Sequence, residues 1–141
     1  MLAQILLAFL LLAFCVSIHA LGLSTAFRWM KRHKPSTRRP IWSGTWILIR
    51  VAGWAVLLHA LQITAWAVSF ILIDAIPDSP DAFYFSAVTY TTTGYGDIVL
   101  PSSWRLFGSI EALTGILMCG LSTGFFFVVF TRILGMRAEP E

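Results

Sequence analysis

The sequence predicts an all-α integral membrane protein, with three membrane-crossing helices and one short helix that enters the bilayer without crossing it. Three observations carry that expectation. The 141 residues are 57% hydrophobic and only 12% charged, whereas soluble domains carry about 25% charged residues. Three apolar stretches are as long as the roughly 20 residues a helix needs to span a bilayer. Six of the ten lysines and arginines crowd between the first two stretches instead of being spread over a surface. This composition excludes a disordered chain and fits a soluble enzyme poorly. Cys15 and Cys119 both lie in apolar runs and form neither a disulfide framework nor a metal-ligand spacing.

The first span, within residues 1–27, contains no charge over 2–27. A cleaved signal peptide is the alternative. That reading is disfavoured because the run lacks a basic leading region, exceeds the usual apolar length, and has its positive charges after it. The loop 28–43 follows, with Arg28, Lys31, Arg32, Lys34, Arg38 and Arg39. The positive-inside rule puts this loop in the cytoplasm, the N-terminus and the 74–103 region outside, and the tail 132–141 inside. The basic stretch 28–39 serves as a topological anchor or as a site for anionic lipid.

The second span, 44–73, has Arg50 and His59 as its ionisable residues. Trp42 and Trp46 stand where interfacial anchors belong. Arg50, about two turns in, is read as snorkelling to the headgroups, with lipid or gating contacts as the alternative. Residues 80–92 are too few to cross and fit a re-entrant helix. Ser79, Pro80 and Asp81 read as N-cap, first helical residue and first-turn acid. The helix, 80–91, then ends inside the membrane, where its last carbonyls favour a cation. The third span covers 104–131 and holds Glu111.

The segment after the short helix is Thr92-Thr93-Gly94-Tyr95-Gly96-Asp97. Irregular backbone at membrane depth is tolerated only where it is buried in protein or lines a wet cavity. Alternate glycines admit φ values that other residues avoid, so successive carbonyls can face one side. Such a loop is the known form of a carbonyl ion filter.

This segment resembles the selectivity filter of potassium channels, whose signature is Thr-Val-Gly-Tyr-Gly followed by Asp. The Phe83-Tyr84-Phe85-Ser86 lead-in and the Gly94-to-Val99 exit are similar to those of the small two-helix ion-channel family. The resemblance covers roughly 50–131 and leaves the first span outside it. It implies a pore module over 44–131, made of an outer helix, a re-entrant pore helix, an extended selectivity-filter loop over 92–97 and an inner helix. It implies K⁺ sites made by Thr92, Thr93, Gly94, Tyr95 and Gly96, with Asp97 capping the outer mouth. Asp97 would be held by a pore-helix donor, and Tyr84 is the candidate. It implies four filter loops, hence a homotetramer. Thr93 departs from the commoner Val, and its hydroxyl needs a partner behind the filter or costs about 1–3 kcal/mol.

Other residues have two readings each. Glu111 is a protonatable brace that couples pH to conduction, or a structural acid meeting Gln62 or Thr64. His59, three residues from Gln62 on one face, is a proton sensor or a neutral imidazole with an interhelical partner. His19 in the first span has the same two readings. Gly115 and Gly120 are gating hinges or close-packing positions, with Gly120 and Gly124 spaced as a small-residue packing motif. Cys119, Thr123 and Phe127 are candidate cavity-lining positions.

The expectation is therefore a homotetrameric K⁺-selective channel in membrane lipid, most compatible with a bacterial plasma membrane, with no nucleic-acid partner and no enzymatic site. No span has the repeated arginines of a voltage sensor, and about ten residues follow the last span, too few for a ligand-binding domain. A non-selective K⁺/Na⁺ channel and a non-conducting membrane subunit are the alternatives.

Overall fold

In the computed structural model, residues 2–32 and 42–138 are described, and they form four α-helices joined by short connections. Lys34, Arg38 and Arg39 of the basic loop lie outside the described residues. Helix α1 spans Leu2–Arg32, α2 Trp42–Leu72, α3 Ser79–Tyr90 and α4 Arg105–Ala138, with one 3-10 turn at Ser102–Trp104 before α4. Helices α1, α2 and α4 are long and apolar enough to cross a membrane. At about 1.5 Å per residue each exceeds the roughly 30 Å hydrocarbon core.

Helix α1 runs on through Arg28, Lys31 and Arg32, so cations occupy its last turns, where the helix dipole favours them. Lys31 Nζ and the Arg132 guanidinium both lie over the Phe27 ring, and the Arg50 guanidinium lies over Trp29 at 5.7 Å from its centroid. Arg50 thus leans toward the basic end of α1. Trp46, four residues before Arg50, is 61% exposed.

Helix α2 stops at Leu72. Asp74 takes a left-handed φ of 55°, and Ala75 N–H and Ile76 N–H both donate back to Phe70 O. Aspartate tolerates this conformation better than branched residues do, and Pro77 cannot extend the helix. The reversal delivers the chain to α3. The N-cap of α3 is Asp78, whose side chain accepts from Asp81 N–H at 3.4 Å. This corrects the expectation of Ser79 as cap. Two cap-competent residues stand side by side, and the extended backbone belongs to Asp78 (φ −75°, ψ 124°).

Helix α3 lies in the angle between α2 and α4, and α1 packs along both long helices. The core between them is aromatic around the start of α4. The Trp66 ring meets Phe107 edge-on at 5.1 Å, Phe70 meets Phe107 at 5.4 Å, and Phe70 meets Phe85 at 5.1 Å. Such edge-to-face pairs add to simple area burial. At the basic end a second cluster joins Met30, Val51, Val129 and Ile133. Gly22 gives Leu58 of α2 room to sit against α1, and Trp54 Nε1 donates to Gly22 O at 2.9 Å. Most large apolar side chains on the outer faces remain uncovered, among them Leu6, Leu57, Leu61, Ile116 and Phe130. A bilayer or further protein suits such a surface and water does not.

Candidate functional site

The site is built on the C-terminal end of α3. Thr91 caps the helix with φ −78° and ψ 1°. The following N–H groups turn back onto the last turn: Thr92 to Thr89 O at 2.9 Å, Thr93 to Val88 O at 2.9 Å, and Gly94 to Val88 O at 3.1 Å. Beyond Thr91 every second residue is left-handed, with φ of 61° at Thr92, 53° at Gly94 and 78° at Gly96. Thr92 is a β-branched residue in that region, a conformation that persists only where its surroundings enforce it. The three back-turned N–H groups supply that enforcement. Alternation of left-handed and ordinary backbone allows neighbouring carbonyls to face one side.

Residues 92–97 are exposed on the single chain, and nothing lies within 4 Å of where a Cβ would stand on Gly94 or Gly96. Tyr95 is 73% exposed. The Thr93 hydroxyl has a partner: its Oγ1 lies 3.0 Å from Thr91 Oγ1. Thr91 Oγ1 already donates to Ala87 O at 2.7 Å, so it accepts from Thr93. The penalty foreseen for Thr93 is removed by a neighbouring hydroxyl that the sequence reading did not consider.

At the far end of the segment Tyr84 Oη donates to Asp97 Oδ2 at 2.6 Å, and Ile98 N–H donates to Asp97 Oδ1 at 3.1 Å. The Tyr84 hydroxyl holds the Asp97 carboxyl below its ordinary value of 3.8, and the same bond raises Tyr84 above 10.0. Residues 98–100 are then fixed to α4. Arg105 Nε donates to Leu100 O at 3.3 Å, and the missing side chain of Gly108 makes room for Leu100.

Gly115 is where α4 meets α3. A Cβ there would stand 1.8 Å from Tyr90 O and 2.7 Å from Tyr90 C. The last turn of α3 therefore rests on the bare backbone of α4. Gly120 and Gly124 behave otherwise, with nothing within 4 Å of a Cβ at either. The expected small-residue packing motif is not formed within the described residues of one chain. Cys119, Thr123 and Phe127 are likewise exposed on α4, with Phe127 at 68%.

Glu111 is fully buried, and neither carboxyl oxygen has a hydrogen-bond partner among the described residues. Ser86 of α3 faces it. The expected meeting with Gln62 or Thr64 does not occur. Gln62 is engaged by His19, Cys15 and Tyr90, and Thr64 is exposed and bonded to Ala60 O at 2.9 Å.

His59 and Gln62 do share a face, and what they meet is Tyr90. His59 Nδ1 lies 3.0 Å from Tyr90 Oη, and Tyr90 Oη donates to Gln62 Oε1. Ser122 Oγ of α4 stands 3.1 Å from His59 Nε2 and 3.0 Å from His19 Nε2. Tyr90 and Ser122 were not singled out from sequence. The signal available was a tyrosine just before the threonine–glycine segment and a serine among apolar residues, neither of which points to the other.

The family model described as ion channel matches residues 45–132, well over half of the chain. The A-type voltage-gated potassium channel KCND3 of Rattus norvegicus is 40% identical over 63 residues, and that of Homo sapiens is equally so. That match takes in 44% of this chain and 10% of the relative, so the chain spans about a tenth of the length of the curated relatives it matches. No solved structure matches the chain.

Proposed function

Because the chain belongs to the ion channel family, we propose that it conducts K⁺ passively across its membrane through a homotetrameric filter made of residues 92–96. The observation that carries this reading is the left-handed backbone at Thr92, Gly94 and Gly96 directly after a capped helix that ends against α4. The exposure of that strand on one chain supports the oligomer: an ion stripped of water needs oxygens on all sides, and one strand offers them on one side only. K⁺ is the transported ion, held in passing by the carbonyls of Thr92 to Gly96 and by the Thr92 hydroxyl. Tyr84 and Asp97 brace the outer mouth. Cys119, Thr123 and Phe127 line the cavity below, and membrane lipid covers the outer apolar faces. The membrane is the bacterial plasma membrane, with the basic end of α1 cytoplasmic, where anionic lipid meets the 28–39 stretch.

The deciding experiment compares K⁺ and Na⁺ flux from liposomes holding the purified protein, with Gly94→Ala as control. K⁺ flux well above Na⁺ flux, abolished in the control, is the expected result. Equal flux of both ions would replace the selective channel with a non-selective one. Absence of flux under every ionic gradient would leave the non-conducting subunit.

A further inference from the structure

Tyr90 and four other side chains form a closed ring, and with both imidazoles neutral the direction of every hydrogen bond in it follows. Gln62 Nε2 donates to Cys15 O at 3.3 Å, and a carbonyl can only accept, so this fixes which end of the amide is nitrogen. The other end, Oε1, must accept, and it does so from Tyr90 Oη. The tyrosine proton is thereby used, so Tyr90 Oη accepts from His59 Nδ1 at 3.0 Å. His59 Nε2 is left as an acceptor and takes the Ser122 proton at 3.1 Å. Ser122 Oγ in turn accepts from His19 Nε2 at 3.0 Å. His19 Nδ1 accepts from Gln62 Nε2 at 3.0 Å, and the circuit closes. Every member gives one bond forward and receives one from behind, and each imidazole donates once and accepts once. Bonds that run in one sense round a ring polarise one another and are stronger for it in a dry site.

The ring takes one or two members from each of the four helices: His19 from α1, His59 and Gln62 from α2, Tyr90 from α3 and Ser122 from α4. His19, Gln62, Tyr90 and Ser122 are buried, and the two imidazoles sit 5.1 Å apart. Tyr90 is the member next to the ion path. Its carbonyl rests on Gly115, and the next two residues are the cap Thr91 and the left-handed Thr92. The Tyr90 side chain therefore fixes the end of α3 from one side while α4 fixes it from the other. Helix α1 lies outside the matched family region, yet it takes both protons of Gln62 Nε2, one on the Cys15 carbonyl and one on His19 Nδ1.

We propose that His19 on α1 is a positioning residue for the filter: it completes the ring that holds Tyr90, so the N-terminal helix is a working part of the ion path and not an anchor. The inference rests on residues 92–96 being that path, as proposed above. It acts through Tyr90 and not by contact with the ion.

The test is amide hydrogen exchange in the intact protein in lipid, comparing wild type with His19→Ala, His19→Gln and Ser122→Ala. The amides to follow are those of residues 92–94, which donate to Thr89 O and Val88 O. With His19→Ala or Ser122→Ala their exchange quickens about tenfold, the scale of one or two lost hydrogen bonds. Glutamine at position 19 can both accept from Gln62 and donate to Ser122, so His19→Gln restores slow exchange. The K⁺ over Na⁺ flux ratio drops with His19→Ala and recovers with His19→Gln. Unchanged exchange at residues 92–94 overturns the inference. So does equal quickening at residues 125–133 of α4, which marks a general loss of fold stability. A wild type that conducts without preferring K⁺ counts against the proposed function, while exchange still decides the role of His19.

Discussion

Gly115→Ala is the sharpest perturbation of the site, because the added atom has a definite place to go. It would stand 1.8 Å from Tyr90 O and 3.2 Å from Tyr90 Cα. Real Cβ atoms essentially never come within 3.0 Å of such a neighbour, so α3 and α4 must part by at least 1.2 Å. The carbonyl cannot swing away alone. The Tyr90 side chain is held by Gln62 and His59, and the N–H groups of Thr93 and Gly94 are tied to Val88 O just behind it. The whole last turn of α3 must move. Functional constellations tolerate about 0.5 Å of misplacement, so the displacement exceeds that tolerance by more than twofold. Overpacking of this kind costs about 1–3 kcal/mol, against about 1 kcal/mol gained by replacing a helical glycine. The expected result is K⁺ flux down by about tenfold or more and a lowered thermal midpoint, read by liposome flux and by a melting curve in lipid. Gly120→Ala and Gly124→Ala are the controls. They meet nothing within 4 Å in the chain, so only the helical gain of about 1 kcal/mol remains and the midpoint should rise. A Gly115→Ala protein with the flux and midpoint of wild type would refute the contact between α4 and the Tyr90 carbonyl.

Three further outcomes follow from the same geometry. Thr93→Val removes a hydroxyl whose partner, Thr91 Oγ1, keeps its bond to Ala87 O; the change should cost about 1 kcal/mol or less and leave the K⁺ over Na⁺ flux ratio unaltered. The Tyr84–Asp97 bond should hold across a wide pH window. The depressed Asp97 value means its contribution is whole above 3.8 and fades as pH falls through the lowered value. The raised Tyr84 value means its contribution is whole below 10.0 and fades as pH rises through the raised one. Flux titrated from the outer side should be flat between those limits, and Tyr84→Phe should lower K⁺ selectivity at every pH within them. Glu111→Met replaces a fully buried carboxyl lacking hydrogen bonds with an apolar chain of similar size. It should raise the thermal midpoint, by the equivalent of about 1–3 kcal/mol, and a lowered midpoint would mean that Ser86 or another group binds the acid in the membrane.

What could be read from the chain alone follows physical range. The three long helices were legible because a bilayer demands a contiguous apolar run, and contiguity is visible in one dimension. The left-handed backbone after α3 was legible in part for a similar reason. Glycines at alternate positions announce left-handed backbone, and Gly94 and Gly96 have it. Thr92 has it as well, with no glycine to announce it, because its conformation is imposed by hydrogen bonds from outside the residue. The cap of α3 was displaced by one residue because Asp78 and Ser79 are both competent and only the backbone path decides. Glu111 was legible as buried, but its neighbour was not, since the side chain facing a helix is set by how that helix is rotated. Gly115 and Gly120 looked alike in sequence. What separates them is a carbonyl on another helix, close to one and remote from the other.

The polar ring explains why a helix beyond the matched family region stays attached to this module. Helices in lipid gain little from apolar contact with each other, because lipid tails are as apolar as leucine. An α1 joined only by Gly22–Leu58 and its neighbours could exchange those contacts for lipid at small loss. His19 and the Cys15 carbonyl could not. Released from Gln62 and Ser122, the imidazole would face hydrocarbon with two unpaired nitrogens, and Gln62 and Ser122 would lose the same partners at the same moment. Detachment of α1 therefore breaks a circuit and not a sum of pairs, and the circuit includes Tyr90. Any influence that tilts or slides α1 in the bilayer, whether lipid thickness, tension or charge at its basic end, reaches Tyr90, and through it the proposed filter. That is a reason to look for gating stimuli on α1, where Leu2, Leu10 and Leu21 are left uncovered.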